Sequence, residues 1–332
     1  AAGEAMELYK SMWTQIAERF KGYSDYVIFE SGNEELGFRL NDTDIATDSG
    51  TLSDADCYTV TNEINQAFVD TVRATGGNNA ERFLLIAGFG TDIRNTCDSR
   101  YKMPTDTANA KLMVSVHYYD PSGYCINSSL ATWGTKQEYE TMNETLAMMT
   151  KFTDAGYGVV IGEYGVLLEA AGLKENAADY TKNLLNICDI YGYCPVLWDC
   201  NNLYNRNDNT IIDMEMARLY TKHSLEIQSG KSKEDIAAQA QKEIDQDYAD
   251  APEGAGVADD VAMAWLMYNS SDWNIQYSVG DTYYPASMTE GLVATDVEVT
   301  GAGTYTVGLD FTGTSGGYAN SVVFSAIAIS NA

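Results

Sequence analysis

Two stretches of the sequence end an apolar run in a carboxylic acid. Residues 26–34 read YVIFESGNE: the apolar run reaches Glu30, a Ser31-Gly32 corner follows, and Asn33 and Glu34 stand side by side. GVVIGEYG presents Glu163 in the same way. A charge at the end of a buried strand is costly unless it faces a polar cleft. Two carboxyl groups about 5–5.5 Å apart can divide the cleavage of a glycosidic bond with retention, one giving a proton and the other attacking the anomeric carbon. The donor must then hold its proton at neutral pH while the nucleophile stays ionised. Taken singly, each glutamate fits a solvated surface charge equally well.

Other residues could serve such a pair. His117 and Tyr119 end the run SVHYY two positions apart and so lie on one side of a strand. A lone histidine is commonly a hydrogen-bonded structural residue, but an imidazole and a phenol beside two carboxylates would fix their protonation and orientation. Trp198 closes PVLWD and reads either as a core tryptophan or as a stacking platform for a pyranose ring. Asn33 could hydrogen-bond a sugar 2-hydroxyl, a contact that strengthens in the transition state.

The elements that must position these groups alternate. Met6, Tyr9, Trp13, Ile16 and Phe20 recur at helical spacing, predicting a helix over 4–21 that runs into a strand from Tyr26. Val60, Ile64, Phe68 and Val72 mark a second helix, stopped at Gly76-Gly77. Strands are predicted near 82–88, 111–119, 157–163 and 194–199, with helices near 136–155, 175–191 and 210–226. Near-continuous apolar strands alternating with helices predict a parallel sheet covered by helices, with acids at strand carboxyl ends, where such folds keep their active sites. Five strands are counted, whereas a closed barrel needs eight. The chain is therefore expected to carry part of a (β/α)8 TIM barrel, with its first strands upstream of Ala1 and an open edge at Tyr26.

From 230 to 256 a charged helical tail passes into an Ala/Pro/Gly linker, and 257–332 reads as short alternating strands separated by turn residues, the pattern of an antiparallel β-sandwich. The domain division is thus 1–229, 230–256 and 257–332. Trp265, Trp273, Tyr283 and Tyr284 are candidate sugar platforms in the last part, although alternation turns about half of such rings inward. This region ends on a strand and is expected to be incomplete.

Composition narrows the partner. The 332 residues carry 20 basic and 48 acidic side chains, a formal net charge of −28 that repels nucleic acid. No apolar run is long enough to span a membrane, and no signal peptide is visible. Tyr at 23 residues outnumbers Phe at 9, supplying flat faces with a polar edge that suit sugar rings. Six cysteines without C-x-x-C spacing and two histidines predict no metal site and no cofactor; Cys188 and Cys194 are close enough in sequence to pair, with free thiols as the alternative.

The motifs WTQIAERFKGYSDYVIFESGNEE, INQAFVDTVRATGGNNAERFLLIAGF, VSVHYYDP, VVIGEYG and LWD occur in an order that resembles glycoside hydrolase family 5 cellulases, over about residues 10–225. The likeness is greatest to the subfamily containing endoglucanases, lichenases and xyloglucanases. That resemblance implies strands four to eight of a TIM barrel, Glu34 as acid/base and Glu163 as nucleophile. It also implies substrate contacts by Asn33, His117, Tyr119 and Trp198. The family's Asn-Glu-Pro is here Asn33-Glu34-Glu35, so a stiffening proline is absent and a like charge stands beside Glu34, which predicts a raised pKa or a looser side chain. The C-terminal region resembles carbohydrate-binding modules attached to such enzymes. The expectation is an extracellular, monomeric, retaining endo-β-1,4-glucanase acting on β-glucan, against the alternative of a catalytically inactive glucan-binding protein or fragment.

Overall fold

The computed structural model describes residues 2–42, 50–127, 130–167, 173–199, 203–211 and 213–253, together with short strands between 265 and 321. The chain divides into two compact units, Ala1–Gly256 and Val257–Ala332.

In the first unit, helix α1 (Ala2–Phe20) leads to strand β1 (Phe29–Glu30). Helix α2 (Asp54–Ala74) precedes β2 (Leu84–Asp92) and the short α3 (Ile93–Cys97). Strand β3 (Leu112–Tyr118) is followed by α4 (Ser122–Cys125), α5 (Lys136–Ala147) and α6 (Thr150–Thr153). Then come β4 (Gly158–Tyr164), α7 (Ala177–Tyr191) and β5 (Cys194–Leu197). A small hairpin, β6 (Tyr204–Asn205) with β7 (Thr210–Ile211), precedes α8 (Met214–Gln228) and α9 (Lys233–Asp250). Strands β1 to β5 form one parallel sheet in sequence order, and among the described residues β1 pairs only with β2 and β5 only with β4. This is a curled half-barrel with helices packed on its outer face, the partial (β/α)8 arrangement expected from the alternation.

Burial alternates across the sheet as the pleat requires. Leu112, Val114, Val116 and Tyr118 of β3, and Val159 and Ile161 of β4, are buried in apolar clusters with residues of the helices. Residues at the alternate positions, including Ser115 and His117, point to the inner face. On the β1 side, Trp13 of α1 packs edge-on against Phe68 of α2 and tilts against Phe29. Helices α2 and α5 each start with a capping box, Ser53 with Asp56 and Thr135 with Glu138.

Several expectations are corrected. The first strand spans two residues rather than beginning at Tyr26, which lies in a turn and is 94% exposed. The helix expected over 136–155 breaks at Met148 and Met149, and the helix expected from 210 starts at Met214, after an unforeseen hairpin. The charged segment after residue 230 is not a free tail. Helix α9 packs on α7 and α8, burying Ile236 and Ala240, and Asp247 and Glu243 pair with Lys182 and Lys222. Its charges face partners on the body, so it belongs to the first unit. Cys188 and Cys194 are free thiols, as are Cys57, Cys97 and Cys125. No helix among the described residues is long and apolar enough to cross a membrane.

In the second unit the described strands form a three-stranded antiparallel sheet, β9 (Asn274–Val279) between β10 (Thr282–Ala286) and β11 (Val307–Thr312). A separate antiparallel pair joins β8 (Trp265–Met267) to β12 (Ala319–Ser321).

Candidate active site

The carboxyl ends of β2, β3 and β4 bring three polar residues into register: Asp92 pairs with His117, and His117 with Glu163. Each pairing follows a register shift, between Ala87 and Asp92 on one side and between Val116 and His117 on the other. Such irregularities re-aim side chains at strand ends. Gly162, just before Glu163, is required by space: a Cβ there would stand 2.6 Å from Ser115 Oγ and 3.6 Å from the His117 ring.

His117 is the hub. Its Nδ1 lies 3.0 Å from a Glu34 oxygen and 3.4 Å from a Glu163 oxygen, and its side chain is 7% exposed. Both neighbours are carboxylate oxygens, so Nδ1 carries the proton and donates. Tyr119 donates its hydroxyl to the same Glu163 oxygen at 3.0 Å. The two carboxylates and the imidazole present one ligand atom each, all within 4.8 Å of one another. That separation sits near the spacing of about 5–5.5 Å used for direct attack and below the roughly 6.5–9.5 Å that leaves room for water.

Glu34 is delivered by the loop after β1. Tyr9 donates to the Ser31 carbonyl at 2.5 Å, while Ser31 Oγ donates to Asn65 and accepts from the Ala87 amide. Beyond Glu34, Leu36 accepts from the Gly90 amide, and a Cβ on Gly37 would stand 2.7 Å from that nitrogen. Glycine at position 37 therefore permits the close approach that fixes this loop to β2.

The electrostatics correct the expectation for Glu34. Its carboxyl is held below the ordinary range by the hydrogen bond from His117, against an opposing effect of burial and with help from Arg39. The neighbouring Glu35 does not dominate, because Arg39 also sits 3.6 Å from its carboxylate and pairs with Asp42. The Tyr119 hydroxyl is pushed well up by burial and by the charge of Glu163, so it remains a donor. Glu30 is raised, chiefly by burial.

Of the residues singled out from sequence, Glu34, His117, Tyr119 and Glu163 thus come together, as two hydrogen-bonded pairs joined by the 3.4 Å approach of His117 Nδ1 to Glu163. Asn33 lies beside them in the turn closed by the Leu36 amide on the Asn33 carbonyl. Trp198 is not a core tryptophan: it is 55% exposed, and its amide bonds to the carbonyl of Tyr164, the residue after Glu163. Trp265, Tyr283 and Tyr284 fall on strands of the second unit, and Trp273 lies outside the described residues.

A cavity of about 190 Å³ opens beside Glu34, lined by Asp92, Arg94, His117, Tyr119, Asp120 and Ile126 among others. Arg94 bridges Asp120 and Thr145 there, and burial raises the Asp92 carboxyl. Sequence reasoning missed Asp92, Arg94 and Asp120. Asp92 had a signal, since it sits ahead of Asn95 as an N-cap and follows an apolar run just as Glu34 and Glu163 do.

Comparison with known proteins identifies the family. The sequence model of the family "Cellulase (glycosyl hydrolase family 5)" matches residues 1–204. The chain is 32% identical over 235 residues to Endoglucanase A of Paenibacillus barcinonensis, covering 61% of this chain and 56% of that protein. It is 30% identical over 225 residues to a xyloglucan-specific endo-beta-1,4-glucanase of Bacteroides ovatus, covering 61% and 43%. Among solved structures, a broad-specificity endoglucanase from an uncultured bovine rumen ciliate aligns with TM-score 0.58 at 33% identity, covering 69% of this chain and 66% of that one. A lichenase from Caldicellulosiruptor sp. F32 aligns with TM-score 0.60 at 26% identity, covering 67% and 64%. The chain spans about half the length of the curated relatives it matches.

Proposed function

The chain belongs to the cellulase family, glycosyl hydrolase family 5, and from that premise we propose that it is the catalytic part of a retaining endo-β-1,4-glucanase acting on β-glucan. The observation that carries the reading is the approach of Glu34 and Glu163 to within 4.8 Å about a shared histidine. In the first step a Glu163 oxygen bonds to the anomeric carbon, the glycosidic C–O bond breaks, and Glu34 gives its proton to the departing oxygen. In the second step water attacks the same carbon, Glu34 takes back a proton, and the bond to Glu163 breaks. Tyr119 orients the Glu163 oxygen through its hydroxyl donor. Trp198, exposed at the end of β5, offers a ring face for stacking, and Asn33 a hydrogen bond to the sugar.

The second unit is proposed as a carbohydrate-binding β-sandwich using Trp265, Trp273, Tyr283 and Tyr284. A polymeric substrate cannot enter a cell, which supports an extracellular protein. A second reading, a glucan-binding protein without turnover, is favoured by one observation: the His117 hydrogen bond keeps Glu34 in its ionised form, which cannot donate.

Release of reducing ends from cellulose, xyloglucan and mixed-linkage glucan, run beside glucan affinity gels, separates the two. The catalytic reading expects turnover by the wild type and a fall on the order of 10³-fold or more in Glu163→Gln with retention on the gel kept. Retention by the wild type without new reducing ends would establish the binding reading instead.

A further inference from the structure

We propose that Glu34, His117 and Glu163 also form a binding site for a divalent transition-metal ion such as Zn²⁺, which occupies the same three atoms and excludes glucan. The inference goes beyond glycoside hydrolysis, because it needs only the positions of three donor atoms. Ligand atoms around a tetrahedral ion at about 2.0–2.2 Å stand roughly 3.3–3.6 Å apart. Two of the three edges already approach this: His117 Nδ1 is 3.0 Å from Glu34 and 3.4 Å from Glu163. The third, between the carboxylates, lies within 4.8 Å. Closing it falls to Glu34, the most exposed of the three side chains at 43%, against 7% for the imidazole and 16% for Glu163.

The donor set is chemically suited. One imidazole and two carboxylates are ligands that zinc accepts, with a fourth position open to water. Tyr119 holds a Glu163 oxygen as an outer-shell partner, the arrangement that orients ligating carboxylates elsewhere. On coordination the proton leaves Nδ1 and the ring takes one up at Nε2, so the imidazole stays neutral and both carboxylates are ionised. The ion then neutralises two negative charges that are otherwise bridged by a single N–H.

The test is equilibrium dialysis of the full chain against Zn²⁺ in a non-chelating buffer. One ion per chain is expected at this site, with affinity reduced at least tenfold in His117→Ala and in Glu163→Gln, each checked for folding by circular dichroism. Co²⁺ supplies a reading that needs no variant. With only two histidines in the chain, ring resonances of His117 should broaden at Co²⁺ concentrations that leave those of His223, which meets a single carboxylate from Asp189, unchanged. Zinc uptake unaffected by both substitutions, or cobalt broadening confined to His223, overturns the site. Zinc bound by a chain that hydrolyses no glucan supports the metal site and counts against the catalytic reading. Hydrolysis with no zinc bound overturns the metal site alone.

Discussion

The two glutamates are held in opposite ways. Glu163 is the last residue but one of a seven-residue strand flanked on both sides by others, accepts a hydrogen bond from Tyr119, and is 16% exposed. Glu34 sits four residues beyond a two-residue strand at the margin of the described sheet and is 43% exposed. The centre is fixed by strand pairing and apolar burial. The margin has little strand pairing; Phe29 packs in an apolar cluster with Trp13 and Phe68, and the path of the chain on either side of it rests on polar clamps: Arg82, the Ser31–Asn65 pair and the contact of Gly37 with Gly90. Where a sheet supplies few ladder bonds, side chains must take over the satisfaction of backbone groups.

Arg82 should show this difference most strongly. Its guanidinium is fully buried over the Phe29 ring and donates to the carbonyls of Phe20, Tyr23, Ser24 and Val27 and to Asn79 Oδ1. It therefore ties the whole turn between α1 and β1 to the start of β2. In Arg82→Leu the part-buried carbonyls of Phe20, Tyr23, Ser24 and Val27 and the Asn79 side-chain oxygen all lose this donor, the first three keeping one from the Tyr23 amide, the Asn78 side chain and the Val27 amide, so a loss of about 3–4 kcal/mol is expected by urea denaturation. A loss below about 1 kcal/mol would mean that the margin is held by packing after all.

Asn65→Ala probes the next clamp. Asn65 is fully buried, accepts from Ser31 and donates to the Ala87 carbonyl, linking the end of β1 to the middle of β2 through α2. Its removal takes the acceptor from the Ser31 hydroxyl and leaves the Ala87 carbonyl with Tyr101 as its donor, and should cost about 1–2 kcal/mol in the same measurement. Tyr119→Phe addresses the centre, where one hydroxyl is removed and the ladder remains. A stability change within about 1 kcal/mol is expected by thermal melting. If Tyr119→Phe proves as damaging as Asn65→Ala, centre and margin do not differ in the way described here.

This contrast also marks what could be read from the sequence. The central strands and their helices were legible because their apolar runs are long, and Glu163, His117 and Tyr119 follow those runs directly. The margin was misread as a strand from Tyr26 because YVIF has strand composition, while the groups that decide its path are Arg82, Asn65 and Ser31. Those partners are 34 to 62 residues apart, and no local pattern announces such a bond. Helix α9 misled for a related reason: its acids read as a solvated tail until Lys182 and Lys222 of neighbouring helices are placed beside them. The charge of Glu35 was likewise overweighted, since Arg39 becomes its neighbour only after a helical turn forms.

The smallest expected effect concerns the proton affinity of Glu34 at the margin. Because the His117 N–H stabilises the Glu34 carboxylate, the folded-state pKa of Glu34 lies below its unfolded value. By linkage, the stabilisation from this group is fully present above the unfolded pKa of about 4.3 and is lost as the pH falls through the lower folded value. Side-chain ¹³C NMR of glutamate-labelled protein should therefore place the Glu34 inflection below the ordinary glutamate range. In His117→Ala that inflection should move up, because burial then acts without its largest opponent. An inflection above the ordinary range in the wild type would reverse the sign and make Glu34 a standing proton donor. The expected result means instead that the free protein keeps Glu34 ionised at neutral pH. A donor role then requires a bound glucan chain to shield the carboxylate and turn it from His117, so that the proton is acquired in the complex.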